Sequence, residues 1–211
     1  GDYFDYLVFS GNKLFVLTGD VTGHGVPAAL IMAMSKSVVG TIARFNLTAQ
    51  QILENLNQTI FENFVQKKLR LLMTLGAVFI DTDSHEAILY NFGHPFPFKK
   101  NSAGEIQMIM PSGGPLGSRG KLIGTPMPIK LEKGERLFFY TDGLVESLSM
   151  VESLGMDRQT NYFKIFENYL NQFKDFPIQE ACRQILKQHP FFEIQKPQPD
   201  DFTIVIVERM Q

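Results

Sequence analysis

Between Leu71 and Tyr140 the chain offers one candidate strand after another and no stretch with helical periodicity. Apolar runs at 71–80 and 87–92 flank the polar turn Asp81-Thr82-Asp83-Ser84, and shorter candidates cover 96–99, 106–110, 121–123 and 128–131. Glu132-Lys133-Gly134-Glu135 then turns the chain into Leu137-Phe138-Phe139-Tyr140. A doubly wound parallel sheet needs regular strand–helix alternation, so this segment excludes one. Helices are expected on either side of it. The segment 26–45 is rich in Ala, Met, Leu and Ile, with Pro27 suited to a first helical turn. Thr48 and Gln51 have capping-box spacing, followed by Ile52, Leu53, Leu56, Ile60 and Phe64 at helical intervals. Two further helices are expected near 161–173 and 178–188. Ahead of the first helix, 6–9 and 14–17 flank Ser10-Gly11-Asn12-Lys13, a hairpin signal. After the last one, the Pro-rich stretch 195–199 leads into a final strand. The pattern predicts an α+β layered sandwich with antiparallel sheets, in one domain spanning 1–211.

Composition narrows the function classes. A net charge of −2 over 211 residues gives no electrostatic footprint for nucleic acid, and Lys67-Lys68-Leu69-Arg70 reads as a solvated helix end. Cys182 is alone, so no intrachain disulfide can form, which fits a reducing cytoplasm. No apolar run reaches the ~18 residues of a membrane span, so no membrane contact is expected of this domain. The sequence opens without Met, inside the motif-like Gly1-Asp2-Tyr3-Phe4-Asp5. That points to a piece of a longer protein, which could itself be membrane-tethered.

Acidic residues recur where strands meet glycine-rich turns. Asp20 follows Leu14-Phe15-Val16-Leu17 and opens Asp20-Val21-Thr22-Gly23-His24-Gly25; Asp142 follows Tyr140-Thr141 and precedes Gly143; Asp200 and Asp201 precede the run 202–207. Buried carboxylates are costly unless something positive neutralises them. No Lys or Arg stands in these motifs, so a divalent cation is the expected partner. One alternative for 19–25 is a phosphate-cradling loop, but the spacing matches neither G-x-G-x-x-G nor a Walker A loop. Taken singly, an Asp-Gly pair is an ordinary turn. Oxygen-only ligation suits Mg²⁺ or Mn²⁺ and disfavours zinc. Several carboxylates around two cations would form a binuclear centre, suited to displacement at phosphorus. His24 is open as a proton shuttle or a structural turn residue; His94 and Thr74 read as structural. Cys182 sits in a helical pattern without the Gly-rich loop and Arg of a cysteine phosphatase.

The chain resembles the bacterial serine/threonine phosphatases of the sporulation stage II protein E type, a branch of the metal-dependent protein phosphatase 2C family. Six ordered motifs carry the resemblance: GDYFD at 1–5, GDVTGHGVPAAL at 19–30, NFGHP at 91–95, GPLG at 114–117, YTDG at 140–143 and DDFT at 200–203. The resemblance implies a four-layer αββα sandwich, two central antiparallel sheets flanked by helices. It implies two Mn²⁺ or Mg²⁺ ions, with Asp20 bridging both and the Val21 carbonyl ligating one. Asp142 and Asp200 would bind the other, and Asp2 would act through water. Asp201 falls where many relatives carry Asn, and Asp5 could equally be a surface acid. The implied reaction is hydrolysis of phosphoserine or phosphothreonine by a metal-bridging hydroxide, the substrate being a regulatory phosphoprotein such as an anti-sigma-factor antagonist. The longer protein would carry an N-terminal sensor or receiver domain, and a homodimer is left open. Three departures stand out: no glycine precedes Gly1-Asp2, no arginine accompanies the first acidic motif, and 147–161 lacks the glycine-and-acid pattern common after YTDG, so the substrate flap is expected to differ. The alternative to an active phosphatase is a non-catalytic binding or switch module of the same fold.

Overall fold

The computed structural model describes residues 1–9, 11–45, 47–69, 71–151, 161–194 and 197–210. Ser10 of the expected hairpin turn, Arg70 of the basic stretch, Gln195 of the Pro-rich lead-in and most of the expected flap (152–160) lie outside them. The chain divides into two compact units, Gly1–Phe96 with Met110–Leu131, and Pro97–Ile109 with Glu132–Gln211.

The first unit is built on a five-stranded antiparallel sheet in the order β1-β2-β3-β4-β7. Its strands are β1 (Asp2–Phe9), β2 (Lys13–Val21), β3 (Met73–Asp81), β4 (Glu86–Phe92) and β7 (Met127–Lys130). Gly11 and Asn12 take the left-handed conformation between β1 and β2 (φ 76° and 55°), as a tight hairpin connection requires. Side-chain alternation sorts each strand onto two faces. One face carries Phe15, Leu17 and Val21 of β2, Leu75 and Ala77 of β3, and Tyr90 and Phe92 of β4. These pack with Ile31 and Val39 of α1 (Val26–Ile42) and with Ile52, Leu53, Leu56 and Ile60 of α2 (Ala49–Ile60).

The expected capping box is present. The Gln51 N–H donates to Thr48 Oγ1 at 3.2 Å, and the Thr48 N–H donates to Gln51 Oε1 at 2.9 Å. Beyond Ile60 the helix widens into a π-helical turn, Phe61–Val65. A buried asparagine on α2 was not singled out by periodicity, yet it secures the GPLG motif. Asn57 Oδ1 accepts from the Gly117 N–H at 2.9 Å, and its Nδ2 donates to the Arg119 carbonyl at 3.0 Å. A Cβ on Gly117 would sit 2.5 Å from Ile60 Cγ2, and its φ is 82°, so glycine is needed there twice over.

The second unit holds a four-stranded antiparallel sheet in the order β6-β5-β8-β9. It comprises β5 (Phe98–Lys100), β6 (Ile106–Met108), β8 (Arg136–Tyr140) and β9 (Ile204–Glu208). Phe98, Phe138 and Tyr140 pack with Leu144 of α3 (Gly143–Glu146), with Phe166 and Leu170 of α4 (Tyr162–Phe173), and with Ile185 of α5 (Ile178–Lys187). The Tyr140 and Phe166 rings lie 4.7 Å apart.

The α+β reading with antiparallel sheets and flanking helices holds. Two details differ. The expected strand at 121–123 is irregular, joined to its surroundings by the Gly114 N–H to Ile123 carbonyl bond and a single bridge between Gly113 and Gly124. The glycines on either side, Gly120 and Gly124, supply no side chain to stabilise a ladder. Second, α3 and the 3₁₀ turn Ser147–Met150 follow Asp142 directly, where no helix was expected until 161. Four residues are too few for periodicity to register. Among the described residues no helix is long and apolar enough to cross a membrane.

Candidate functional site

In the first unit the acids are placed by strand register. Asp2 of β1 lies directly opposite Asp20 of β2, and Asp20 lies opposite Thr74 of β3. Residues paired in this way share a sheet face, so two carboxylates stand side by side, a destabilising pair in the absence of positive charge. Behind them, Thr74 Oγ1 accepts the Asp20 N–H at 3.2 Å and lies 2.9 Å from His94 Nδ1. His94 is itself fixed by Asn91, whose Oδ1 accepts the His94 N–H at 3.2 Å and whose Nδ2 donates to the His94 carbonyl at 2.8 Å. His94 and Thr74 thus brace the strand behind Asp20, which is the structural part the sequence suggested for them.

Gly1, beside these acids, leaves little space for anything larger. A Cβ on Gly1 would fall 2.3 Å from Asp20 Oδ1 and 2.9 Å from the Val21 carbonyl oxygen. A side chain at position 1 would therefore fill the space at the two oxygens expected to ligate. Gly23 and Gly25 both have left-handed φ (88° and 75°), which lets the chain leave β2 and enter α1 within a few residues. His24 lies exposed between them.

Asp5 is placed differently. Three residues from Asp2 on the same strand, it points to the opposite face, where it is buried. Lys36 of α1 meets its Oδ1 at 2.6 Å, the Tyr6 N–H donates to the same oxygen at 2.9 Å, and the Tyr3 hydroxyl donates to Oδ2 at 3.2 Å. Burial, and the Asp5 charge beside it, hold the Tyr3 hydroxyl well above the usual tyrosine range. This geometry makes Asp5 the anchor of an ion pair between strand and helix.

In the second unit the acids stand on loops at one end of a strand pair. Thr141 and Thr203 fasten those loops together: the Thr141 N–H donates to the Thr203 carbonyl at 3.1 Å, and the Thr203 N–H donates to Thr141 Oγ1 at 3.1 Å. Asp142 then caps α3, its side chain accepting the Gly143 N–H at 3.1 Å. A Cβ on Gly143 would meet the Asp201 carbonyl oxygen at 2.3 Å and Asp200 Cβ at 3.4 Å, so the YTDG and DDFT motifs touch through a position that only glycine fits. Asp200 and Asp201 are both exposed, and Asp200 Oδ1 accepts the Asp201 N–H at 2.8 Å.

Sequence reasoning missed Glu146, the last residue of α3. Burial raises its pKa above the ordinary glutamate value, and the charges of Asp142 and Asp200 raise it further. Asp142, Asp200 and Glu146 therefore share one electrostatic neighbourhood. The spacing Asp142-x-x-x-Glu146 was the available signal, since residues four apart face each other on a helix. Among the described residues no three His, Cys, Asp or Glu side chains converge closely enough to form a metal cage by themselves. The donor chemistry still suits a hard cation, being made of carboxylates and a main-chain carbonyl with no thiolate.

These features can be set beside known proteins. Residues 10–210 match the model of the Stage II sporulation protein E (SpoIIE) family. The chain is 24% identical over 220 residues to the phosphoserine phosphatase RsbU of Bacillus subtilis (strain 168), covering 99% of this chain and 59% of RsbU. The chain thus spans less than two thirds of that relative's length. Its structure resembles the protein phosphatase 2C (PP2C) domain of Bacillus subtilis SpoIIE, with a TM-score of 0.80, 15% identity, and coverage of 98% of this chain and 58% of that one. It also resembles RsbX, solved in complex with magnesium, with a TM-score of 0.67, 17% identity, and coverage of 97% and 85%. These likenesses bear out the α+β, protein phosphatase 2C-like fold. The match across 10–210 settles the family: the chain belongs to the Stage II sporulation protein E (SpoIIE) family.

Proposed function

We propose that this chain is the catalytic domain of a divalent-metal-dependent serine/threonine phosphatase. The observation that carries the reading is that the Asp142 and Asp200 loops meet at Gly143, where a Cβ would fall 2.3 Å from the Asp201 carbonyl oxygen and 3.4 Å from Asp200 Cβ. Asp20 with the Val21 carbonyl on the first unit, and Asp142 with Asp200 on the second, are the proposed donors to Mn²⁺ or Mg²⁺, and Asp2 supports Asp20 from the facing strand. RsbX, solved with magnesium, supports a hard divalent ion here. When bound, such ions acidify water and neutralise the charge on a phosphoryl group. The chain's own residues hold the acids in place: Thr74 braces the Asp20 backbone, and Thr141 with Thr203 holds the strand ends that carry Asp142 and Asp200. No side-chain nucleophile is needed, and Cys182 is unsuited to be one, since burial raises its thiol pKa.

The substrate proposed is phosphoserine or phosphothreonine on a regulatory protein, in line with the name of RsbU, a phosphoserine phosphatase. An anti-sigma-factor antagonist is the specific candidate, and a sensor or receiver domain in the longer protein is the proposed source of control. The test is phosphate release from p-nitrophenyl phosphate and from a phosphoserine protein, with and without Mn²⁺. Release that requires Mn²⁺ is expected; a folded protein that releases none from either substrate would leave the fold as a binding module.

A further inference from the structure

One buried histidine touches the elements behind both acidic motifs of the second unit without belonging to either. His189 is fully buried between α5 and the 3₁₀ turn Pro190–Ile194. Its Nε2 lies 2.8 Å from the Leu144 carbonyl oxygen, and its Nδ1 lies 3.3 Å from the Phe191 amide nitrogen. A carbonyl can only accept and an amide N–H can only donate, so the neutral ring carries its proton on Nε2. Leu144 belongs to α3, the helix that Asp142 caps. On its other flank the ring packs against Phe202, 5.3 Å between centroids, the residue directly after Asp201. Phe202 is held in turn by Phe191 at 5.7 Å and Phe192 at 5.6 Å. Tyr169 completes the enclosure at 5.7 Å, its hydroxyl donating to the Ile185 carbonyl.

We infer that His189 is a positioning residue for the candidate metal ligands of the second unit, tying the Asp142 turn to the Asp200 strand entry. The hydrogen bond to Leu144 holds one element and the ring contact with Phe202 holds the other, so this side chain, together with the Thr141–Thr203 bonds, sets how far apart the two carboxylates stand. The inference rests on the metal reading proposed above. Simple filling of space does not account for it. A phenylalanine, somewhat larger than histidine, would also fill the space but would present a ring edge to the Leu144 oxygen in place of a donor. Burial also pushes the imidazole pKa below its ordinary value, while the Leu144 carbonyl acts in the opposite direction. Among the described residues, Tyr169 is a titratable side chain that faces the ring, its own hydroxyl engaged elsewhere.

The test compares His189→Phe and His189→Gln in the whole chain by calorimetric titration with Mn²⁺, alongside thermal unfolding without metal. Gln carries an amide nitrogen at a reach similar to that of Nε2. His189→Phe is expected to bind Mn²⁺ about tenfold more weakly than the wild type, and His189→Gln to recover most of the loss. Equal affinities for wild type and His189→Phe, with only the unfolding midpoint lowered, would overturn the inference and leave the metal reading intact. A folded wild type that binds no Mn²⁺ would overturn both. Should His189→Phe not fold, the wild type carries the test through its imidazole ¹⁵N resonances. Adding Mg²⁺ is expected to shift those of His189 and not those of His85, in the β3–β4 turn at the end of the first sheet away from Asp20. Unmoved His189 resonances would overturn the inference.

Discussion

The two units present their acids in opposite ways. Asp20 sits inside a strand, with Asp2 opposite it on one side and Thr74 on the other, so the backbone around it is held by a ladder to a strand on either side. Asp142 and Asp200 stand on loops just beyond β8 and β9, and what holds them is a set of individual contacts: the paired threonines, the glycine at 143 and the cage around His189. A ladder distributes strain over many residues, whereas a loop concentrates it in a few. The same substitution should therefore have different consequences in the two places.

The largest effect is expected from removing a carboxylate. Asp20→Asn and Asp142→Asn should each lower Mn²⁺-dependent phosphate release by about a hundredfold or more, since even partners of metal ligands commonly cost ten- to a hundredfold. Neither should unfold the protein. Asn can stay in the β2 ladder, and at 142 its side-chain oxygen can still accept the Gly143 N–H. The difference lies in a neighbour. In Asp142→Asn the Glu146 pKa, raised first by burial and then by Asp142 and Asp200, should fall part of the way toward its usual value, as a carboxyl ¹³C titration would read. An unchanged Glu146 titration would break the electrostatic link between Glu146 and Asp142.

A methyl group tests stiffness more directly. In the first unit a Cβ on Gly19 would meet the Thr74 carbonyl oxygen at 2.5 Å; in the second, a Cβ on Gly143 would meet the Asp201 carbonyl oxygen at 2.3 Å. Both contacts are with backbone, so something must move, at a cost of about 1–3 kcal/mol. Gly19→Ala should spend that cost on stability, because the ladder cannot yield locally, and its unfolding midpoint should fall. Gly143→Ala can relax by parting two loops, so its Mn²⁺ affinity should fall more than its midpoint. Equal losses of midpoint and affinity in the two variants would erase the distinction between ladder and loops.

This contrast also explains what the sequence disclosed. The fold class was legible because an uninterrupted series of strands between helices leaves few architectures open. The acids were legible because Asp20-Val21-Thr22-Gly23, Asp142-Gly143 and Asp200-Asp201 are contiguous. His189 was not legible: its partners Leu144 and Phe202 lie far from it in sequence, and no periodicity relates a buried ring to a distant carbonyl. Asn57 stayed hidden for the same reason, its partners being Gly117 and Arg119. Glu146 could have been read, but a helix as short as α3 leaves almost no periodic trace. The face of Asp5 could have been derived as well, since strand alternation alone sets it opposite to Asp2.

Asp5 supplies the smallest of these effects and the cleanest control on the ranking of acids. Its carboxylate is buried and held by Lys36, Tyr3 and the Tyr6 N–H, while Lys36 itself is 63% exposed. Exposure of one partner screens the pair, but removing the cation leaves a buried carboxylate with two neutral donors. Lys36→Met should therefore cost about 1–2 kcal/mol, read as a lower denaturant midpoint at unchanged slope. Asp5→Asn should cost a similar amount, because the Tyr6 N–H keeps an acceptor while the ion pair is lost. Neither variant should alter Mn²⁺ affinity, since the carboxylate faces α1 and Asp2 and Asp20 share the opposite face of the sheet. If Asp5→Asn weakened Mn²⁺ binding as much as Asp20→Asn, both faces of β1 would serve the metal, and burial against Lys36 would be no guide to which acids ligate.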